Sequence, residues 1–193
     1  MSIFREETYM SLPTVQGSTV NKRNKGEIGM CRLLILGAGQ YGMVAGEIAG
    51  SMGIFESIAF LDDNNPAAVG KLFEYEKFRR EYGCAVAAIG SFELRMQLIG
   101  KLAEAGFEVP VLIHKTAYVS PSAVIGMGSF IEPMTVVHTD AKVGNGCIIS
   151  SGTVINHNAV VGDGCHLNCC TVVKSSAEVP AGTVSDYGQI LGI

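Results

Sequence analysis

Several common features are missing from this 193-residue chain. Its six cysteines include no CxxC pair, so the usual ligand spacing of a zinc site is absent. No apolar run reaches the eighteen or so residues that a bilayer-spanning helix needs. Lys22, Arg23 and Lys25 form a short basic cluster, and the net charge is -4, which argues against a nucleic-acid partner. The opening segment MSIFREETYM is too polar and acidic for a secretory signal. Together these absences predict a cytoplasmic protein. Disulfides are not expected in that compartment, and most of the cysteines read as packed thiols. Hydrophobic residues make up 48% of the chain, enough for a real core in one or two domains.

What is present is a repeat. From Ile113 to Val184 the chain runs through twelve six-residue units without a break. A branched aliphatic residue opens each unit, as at Ile113, Val119, Ile125, Ile131 and Val137, through to Val179. Four positions later sits a small residue, as at Ala117, Ala123, Ser129, Cys147, Cys165 and Thr183. A period of six fits neither one helix nor one flat strand. It fits a short strand, a corner and a return to the same inward position. Three sides close an eighteen-residue coil, and twelve units give four coils stacked roughly 4.8 Å apart. The aliphatic residues then form an apolar axis, and the small ones fit tight corners. Each coil is stabilised by its neighbours.

The preceding half has a different pattern. An apolar strand, Cys31 to Leu36, runs into Gly37-Ala38-Gly39-Gln40-Tyr41-Gly42 and then a helical stretch to Gly53. A second strand, Ser57 to Leu61, ends in Asp62-Asp63. This is the GxGxxG turn in its proper strand–helix setting, where a helix N-terminus favours a phosphate. A strand from Ala85 to Gly90 and an amphipathic helix from Phe92 to about Ala105 follow. The expected division is a flexible extension over 1–29, a small Rossmann-like domain over 30–112, a β-helix over 113–184 and a tail over 185–193. Met30 is a candidate initiator. The α/β unit is only half of a full dinucleotide domain, which favours a mononucleotide or nucleotide sugar over a nicotinamide cofactor. A tight strand–helix junction with no ligand is the plainer reading of the glycines.

The stretches LLILGAGQYG, FLDDN, AAIGSFELR, LIHKTAYVSPSA and GTVINHNAVVGDGCHLN resemble the bacterial sugar O-acyltransferases of the sialic acid O-acetyltransferase type. They also resemble the related UDP-4-amino-sugar N-acetyltransferases, within the hexapeptide-repeat superfamily. The resemblance covers residues 31 to about 184. It implies an α/β Rossmann-like N-terminal domain followed by a left-handed parallel β-helix. It also implies an acetyl-CoA-dependent transfer to a sugar amino or hydroxyl group, without a metal, in a homotrimer with active sites between neighbouring prisms. By the same resemblance His157 is the general base and His166 contacts acetyl-CoA. Gly37, Gly39, Gln40, Tyr41, Asp62 and Asp63 hold the nucleotide part of the acceptor, with Gly90 and Ser91 nearby.

Read from the repeat alone, His157 is the third residue of its unit and is expected to point outward from a flat face, between Thr139 and Ser175. An unperturbed imidazole titrates near ~6.5, which suits a base at neutral pH. His138 and Asn158 are candidate cleft residues. His166 shares its column with Phe130, Ile148 and Val184, so a packed structural histidine is the competing reading there. His114 reads as a junction residue.

Three departures from the family pattern bear on function. Asn158 stands where an acidic residue commonly follows the base. Tyr41 replaces a loop histidine. The repeats also stop early, which shortens the groove for CoA. A non-catalytic nucleotide-sugar-binding or assembly protein is therefore the alternative, and an NAD-binding redox module is a third reading.

Overall fold

The structure, a computed structural model, describes residues 31–192. The extension over 1–29 and the candidate initiator Met30 lie outside the described residues. β1 (Cys31–Leu36), α1 (Gln40–Met52), β2 (Phe55–Leu61), β3 (Cys84–Ala87) and α2 (Phe92–Glu104) form the first unit. The sheet is parallel, in the order β2-β1-β3. β1 is central, and Leu33 to Leu36 are fully buried. That burial explains its unbroken apolar run. A short 3-10 segment, Leu72–Phe78, fills the crossover between β2 and β3. Among the described residues no helix is long and apolar enough to cross a membrane.

The repeats wind into a three-sided parallel β-helix. Each strand is two residues long and pairs with the strand eighteen positions away, for example Ile148 with His166 and Val154 with Val172. The first face carries Leu112–Ile113, Phe130–Ile131, Ile148–Ile149 and His166–Leu167. The second carries Tyr118–Val119, Val136–Val137, Val154–Ile155, Val172–Val173 and Ile190–Leu191. The third carries Val124–Ile125, Lys142–Val143, Val160–Val161 and Glu178–Val179. The opening aliphatic of each repeat points inward, and Ile131, Val137, Ile149, Ile155, Leu167 and Val173 are fully buried. The small residues point inward as well, with Ala141, Ala159, Cys147 and Cys165 at 0% exposure.

Two sequence expectations change here. The stack does not stop at Val184. Val184 bridges to His166, and Ile190–Leu191 adds a fifth strand to the second face. Residues 185–192 are therefore a further part-coil rather than a tail. The corners explain why. Every sixth residue from Gly128 to Gly188 has a positive φ, including Met134, Asp140, Asn158, Cys170 and Ser176. The corner conformation persists past the point where the aliphatic register fades, and at Met134 and Cys170 it is carried by side chains that sequence does not mark as turn formers.

The second change concerns cysteine. Cys31 and Cys84 form a disulfide, against the expectation of free thiols. They come from β1 and β3, which are neighbours only because β1 lies in the middle of the sheet. The remaining cysteines, Cys147, Cys165, Cys169 and Cys170, are free. Thiol titration of the denatured, unreduced protein is expected to find four reactive groups rather than six; six would contradict the disulfide.

The two halves dock through two contacts. The outward residues of the first face, Leu112, Phe130 and Ile148, share one buried cluster with Leu33, Ile35, Ala45, Ile48 and Ala49. The second contact is α2 against the corner between the third and first faces. There the Arg95 side chain is buried at 1% exposure. Its Nε donates to the Gly146 carbonyl at 2.7 Å and its Nη2 to the Gly164 carbonyl at 2.8 Å. Its Nη1 donates to the carbonyls of Ile89 and Gly90 at 2.8 and 3.0 Å. Gly164 has φ +66°, and a Cβ there would lie 2.1 Å from the Phe92 ring. Only glycine permits that approach.

Candidate functional site

The three loops that leave the sheet share its carboxyl edge, where ligands of open α/β sheets bind. They carry Gly37 and Gly39 after β1, Asp62 and Asp63 after β2, and Gly90 and Ser91 after β3. Gly37 adopts φ +105° and packs against the Ala88 carbonyl. Gly39 caps α1 with no side-chain cap bond and no acidic residue in the first turn. The first N–H groups of α1 are left without a side-chain acceptor, the arrangement a phosphate fits.

The acidic pair is otherwise engaged. Asp62 Oδ2 accepts from the Ala38 N–H at 2.8 Å, and Oδ1 accepts from the N–H groups of Asn64 and Asn65 at 2.8 and 2.9 Å. The Ala38 and Asn64 bonds hold its carboxyl below the usual range. Asp63 Oδ1 accepts from the Leu72 N–H at 3.1 Å. Both side chains shape the loop. Ser91 caps α2, with Oγ accepting from the Leu94 N–H at 3.3 Å, and the Gly90 carbonyl is taken by Arg95.

A pocket of about 370 Å³ opens where the N-terminus of α1 meets the corner between the first and second faces. Gln40, Tyr41, Val44, Glu132, Ser150, His166, Asn168, Cys169 and Tyr187 line it. The Tyr41 ring stands edge-on to Phe130 at 5.5 Å and lies 6.5 Å from the His166 ring. Burial, then the charge of Glu132, push the Tyr41 phenol well above its ordinary range, so it stays an O–H donor. His166 is half-buried. Burial first and Arg95 second lower its pKa, which favours the neutral imidazole. Glu132, Ser150 and Asn168 occupy one column, eighteen residues apart. Sequence reasoning missed them. That column is legible only once the covered face is known.

His157 sits elsewhere. It occupies the exposed corner between the second and third faces, not a flat face. The turn spans His157 and Asn158, and Asn158 takes φ +60°. The reason is that strands are two residues long, so the third position of a repeat has already entered the corner. Asn158 Nδ2 lies 3.0 Å from His157 Nδ1. The Thr139 carbonyl accepts from the Asn158 N–H at 3.0 Å, and the His157 carbonyl from the Ser176 N–H at 3.0 Å. His138 is exposed one coil earlier, just before the same edge. His114 follows the first strand of the first face, and its Nδ1 lies 2.9 Å from Thr116 Oγ1. Within one chain, therefore, the structure groups His166 with Tyr41 and leaves His157, Asn158 and His138 on a separate edge.

A phosphate-ready strand–helix turn docked on a three-sided parallel coil defines a two-domain hexapeptide-repeat protein. Residues 32–102 match the PglD N-terminal domain family. The acetyltransferase domain of PglB from Neisseria gonorrhoeae FA1090 is 26% identical, with a TM-score of 0.73 over 83% of this chain and 90% of that one. The same domain in complex with acetyl coenzyme A gives 29% identity and a TM-score of 0.67 over 85% and 86%. A mutant of perosamine N-acetyltransferase from Caulobacter crescentus, with CoA and GDP-perosamine, is 23% identical, with a TM-score of 0.75 over 86% and 90%. At that identity the likeness speaks to the fold, a Rossmann-like layer followed by a left-handed β-helix. Over its first unit the chain is similar to the PglD N-terminal domain family, and over most of its length to the acetyltransferase domain of PglB.

Proposed function

We propose that the chain transfers an acetyl group from acetyl-CoA to an amino or hydroxyl group of a nucleotide-linked sugar. The observation that carries this reading is the pairing of an uncapped, acid-free α1 N-terminus with a polar pocket on the adjoining β-helix corner. The first suits the diphosphate of a nucleotide sugar, and the second suits the sugar. The likeness to an acetyltransferase domain that binds acetyl coenzyme A supports the donor.

His157 is the general base in this reading. It takes the proton from the acceptor nitrogen or oxygen as that atom attacks the thioester carbonyl. The C–S bond breaks as the tetrahedral intermediate collapses, and the imidazolium returns a proton to the departing CoA thiolate. For Nε2 to accept, the ring proton must sit on Nδ1. The Asn158 amide provides for this when its oxygen, rather than its nitrogen, faces Nδ1; the two orientations differ by a half-turn. Release of CoA thiol in the presence of UDP- and GDP-amino sugars tests the function. Absence of turnover with every acceptor would leave the non-catalytic alternative. That alternative draws on Asn158 and on a short stack, and the extra strand at Ile190–Leu191 removes part of its second support.

A trimer brings the divided site together. The outward residues of the second face are Tyr118, Val136, Val154, Val172 and Ile190, an apolar ladder along every coil. Tyr118 is 56% and Ile190 63% exposed. This face lies between the pocket edge and the His157 edge. Three prisms that turn it towards a common axis set the pocket edge of one chain against the His157 edge of the next. Sedimentation is expected to give three times the 20.4 kDa chain mass. Val154→Asp places a charge in the ladder and is expected to yield monomers with no turnover. An active monomer would refute the shared site.

A further inference from the structure

The corner where α2 docks holds two thiols that neither the fold nor the proposed chemistry requires. Cys147 and Cys165 take the small-residue position of their repeats, one coil apart, both at 0% exposure. They are in register: the Cys165 carbonyl accepts from the Ile148 N–H at 2.8 Å, and Ile148 pairs with His166. Their sulfurs lie within hydrogen-bond reach of each other. Each thiol also faces a backbone carbonyl fifteen positions on, Gly162 at 3.2 Å and Pro180 at 3.1 Å. One coil below, Ser129 makes the same bond, with Oγ donating to the Gly144 carbonyl at 2.8 Å. A hydroxyl is the stronger donor, so this hydrogen bond does not call for sulfur. What sulfur adds at two stacked positions is the capacity to be oxidised.

We propose that Cys147 and Cys165 are an oxidation site, at which hydrogen peroxide closes a disulfide between adjacent coils. Adjacent coils stand about 4.8 Å apart, inside the Cα separation of about 4.4 to 6.8 Å that a disulfide spans. The Arg95 guanidinium binds the carbonyls of Gly146 and Gly164, the residues directly before the two cysteines. A buried positive charge therefore stands beside the pair and favours a thiolate. The thiolate forms on Cys165, whose pKa is lowered first by the hydrogen bond with Cys147; the same bond first, and burial second, keep Cys147 protonated. Burial shuts out bulky disulfide oxidants, whereas peroxide is neutral and little larger than water. The Cys165 sulfur attacks one peroxide oxygen, the O–O bond breaks, and the departing hydroxide takes a proton to become water. The Cys147 sulfur then attacks the Cys165 sulfenic acid; its proton leaves with the hydroxyl as the S–O bond breaks, releasing a second water. Two thiols and one peroxide become one disulfide and two waters. The site is independent of the acetyl-transfer reading, because neither thiol lines the pocket.

The test uses the full chain carrying Cys169→Ser and Cys170→Ser, in which Cys147 and Cys165 are the remaining free thiols. The folded protein is treated with hydrogen peroxide, then denatured, alkylated and cleaved before aspartate. Cleavage at Asp163 separates the two cysteines. A bridge is expected to appear as two peptides held together, lighter than their sum by two hydrogens, that part on reduction. Oxidation is also expected to raise Tm by roughly 5–10 °C, the scale of a disulfide that closes a loop of this length. Cys165→Ser, added to the same background, keeps the kind of donor that Ser129 supplies one coil below. It is expected to melt within about 2 °C of its untreated parent and to show neither bridge nor shift. Cys147→Ser provides the same control from the other side. Thiols that survive excess peroxide in the folded chain, conversion to sulfinic acid with no bridge, or a bridge without a rise in Tm overturns the proposal.

Discussion

His157→Ala is expected to lower kcat for acetyl transfer by about 10²- to 10⁴-fold, the range that a positioned base contributes, with little change in KM for acetyl-CoA. The corner makes this a test of chemistry rather than of folding. The ring is exposed, and its one side-chain partner is Asn158. The hydrogen bonds that hold the turn come from the backbone of Asn158 and Ser176, and an alanine leaves them in place. The melting temperature should stay near that of the wild type. A second substitution reads the same ring from the other side. Asn158→Asp supplies a carboxylate that keeps the proton on Nδ1, so kcat should rise. Wild-type turnover by His157→Ala would remove the base from the mechanism.

Arg95→Met is expected to be strongly destabilising, at about 4 kcal/mol, the scale seen when a buried charged group loses its network. In a protein of this size that corresponds to a fall in Tm of roughly 10 °C. The side chain fills the junction of α2 with the β-helix corner. Its loss leaves the carbonyls of Gly146, Gly164, Ile89 and Gly90 without the donor that now satisfies them. Methionine replaces the volume and none of the hydrogen bonds. Arg95→Lys should recover only part of the loss, since one ammonium cannot reach carbonyls on both sides of the junction as a planar fork does. Thermal unfolding measures both variants. A Tm within about 2 °C of wild type for Arg95→Met would show that the carbonyls find water instead.

Both residues stand in stretches that the sequence analysis singled out, yet only His157 drew attention as a functional residue. Arg95 lies in AAIGSFELR on a helix that reads as amphipathic, where a charged residue is expected on the wet side. Its burial depends on the corner glycines 146 and 164, which approach from 51 and 69 residues away. The disulfide between Cys31 and Cys84 was hidden for the same reason, because strand order is not written in either strand. His157 was picked out by its motif but assigned to a face instead of a corner. The aliphatic register locates inward positions and does not say how few residues each strand holds.

The period of six, by itself, determined that residues 113 onward form a stacked coil with an aliphatic axis. The glycine turn after an apolar strand determined the α/β unit before it. In both cases the signal is local: each position's inward or outward direction is set by neighbours a few residues away. Tertiary structure decided which outward face is covered, that Glu132 and Tyr41 share a pocket, and that His157 and His166 lie on different edges of one chain. Those outcomes depend on contacts between distant segments, and a repeating pattern that treats all three faces alike carries no information about which of them the first domain will bury.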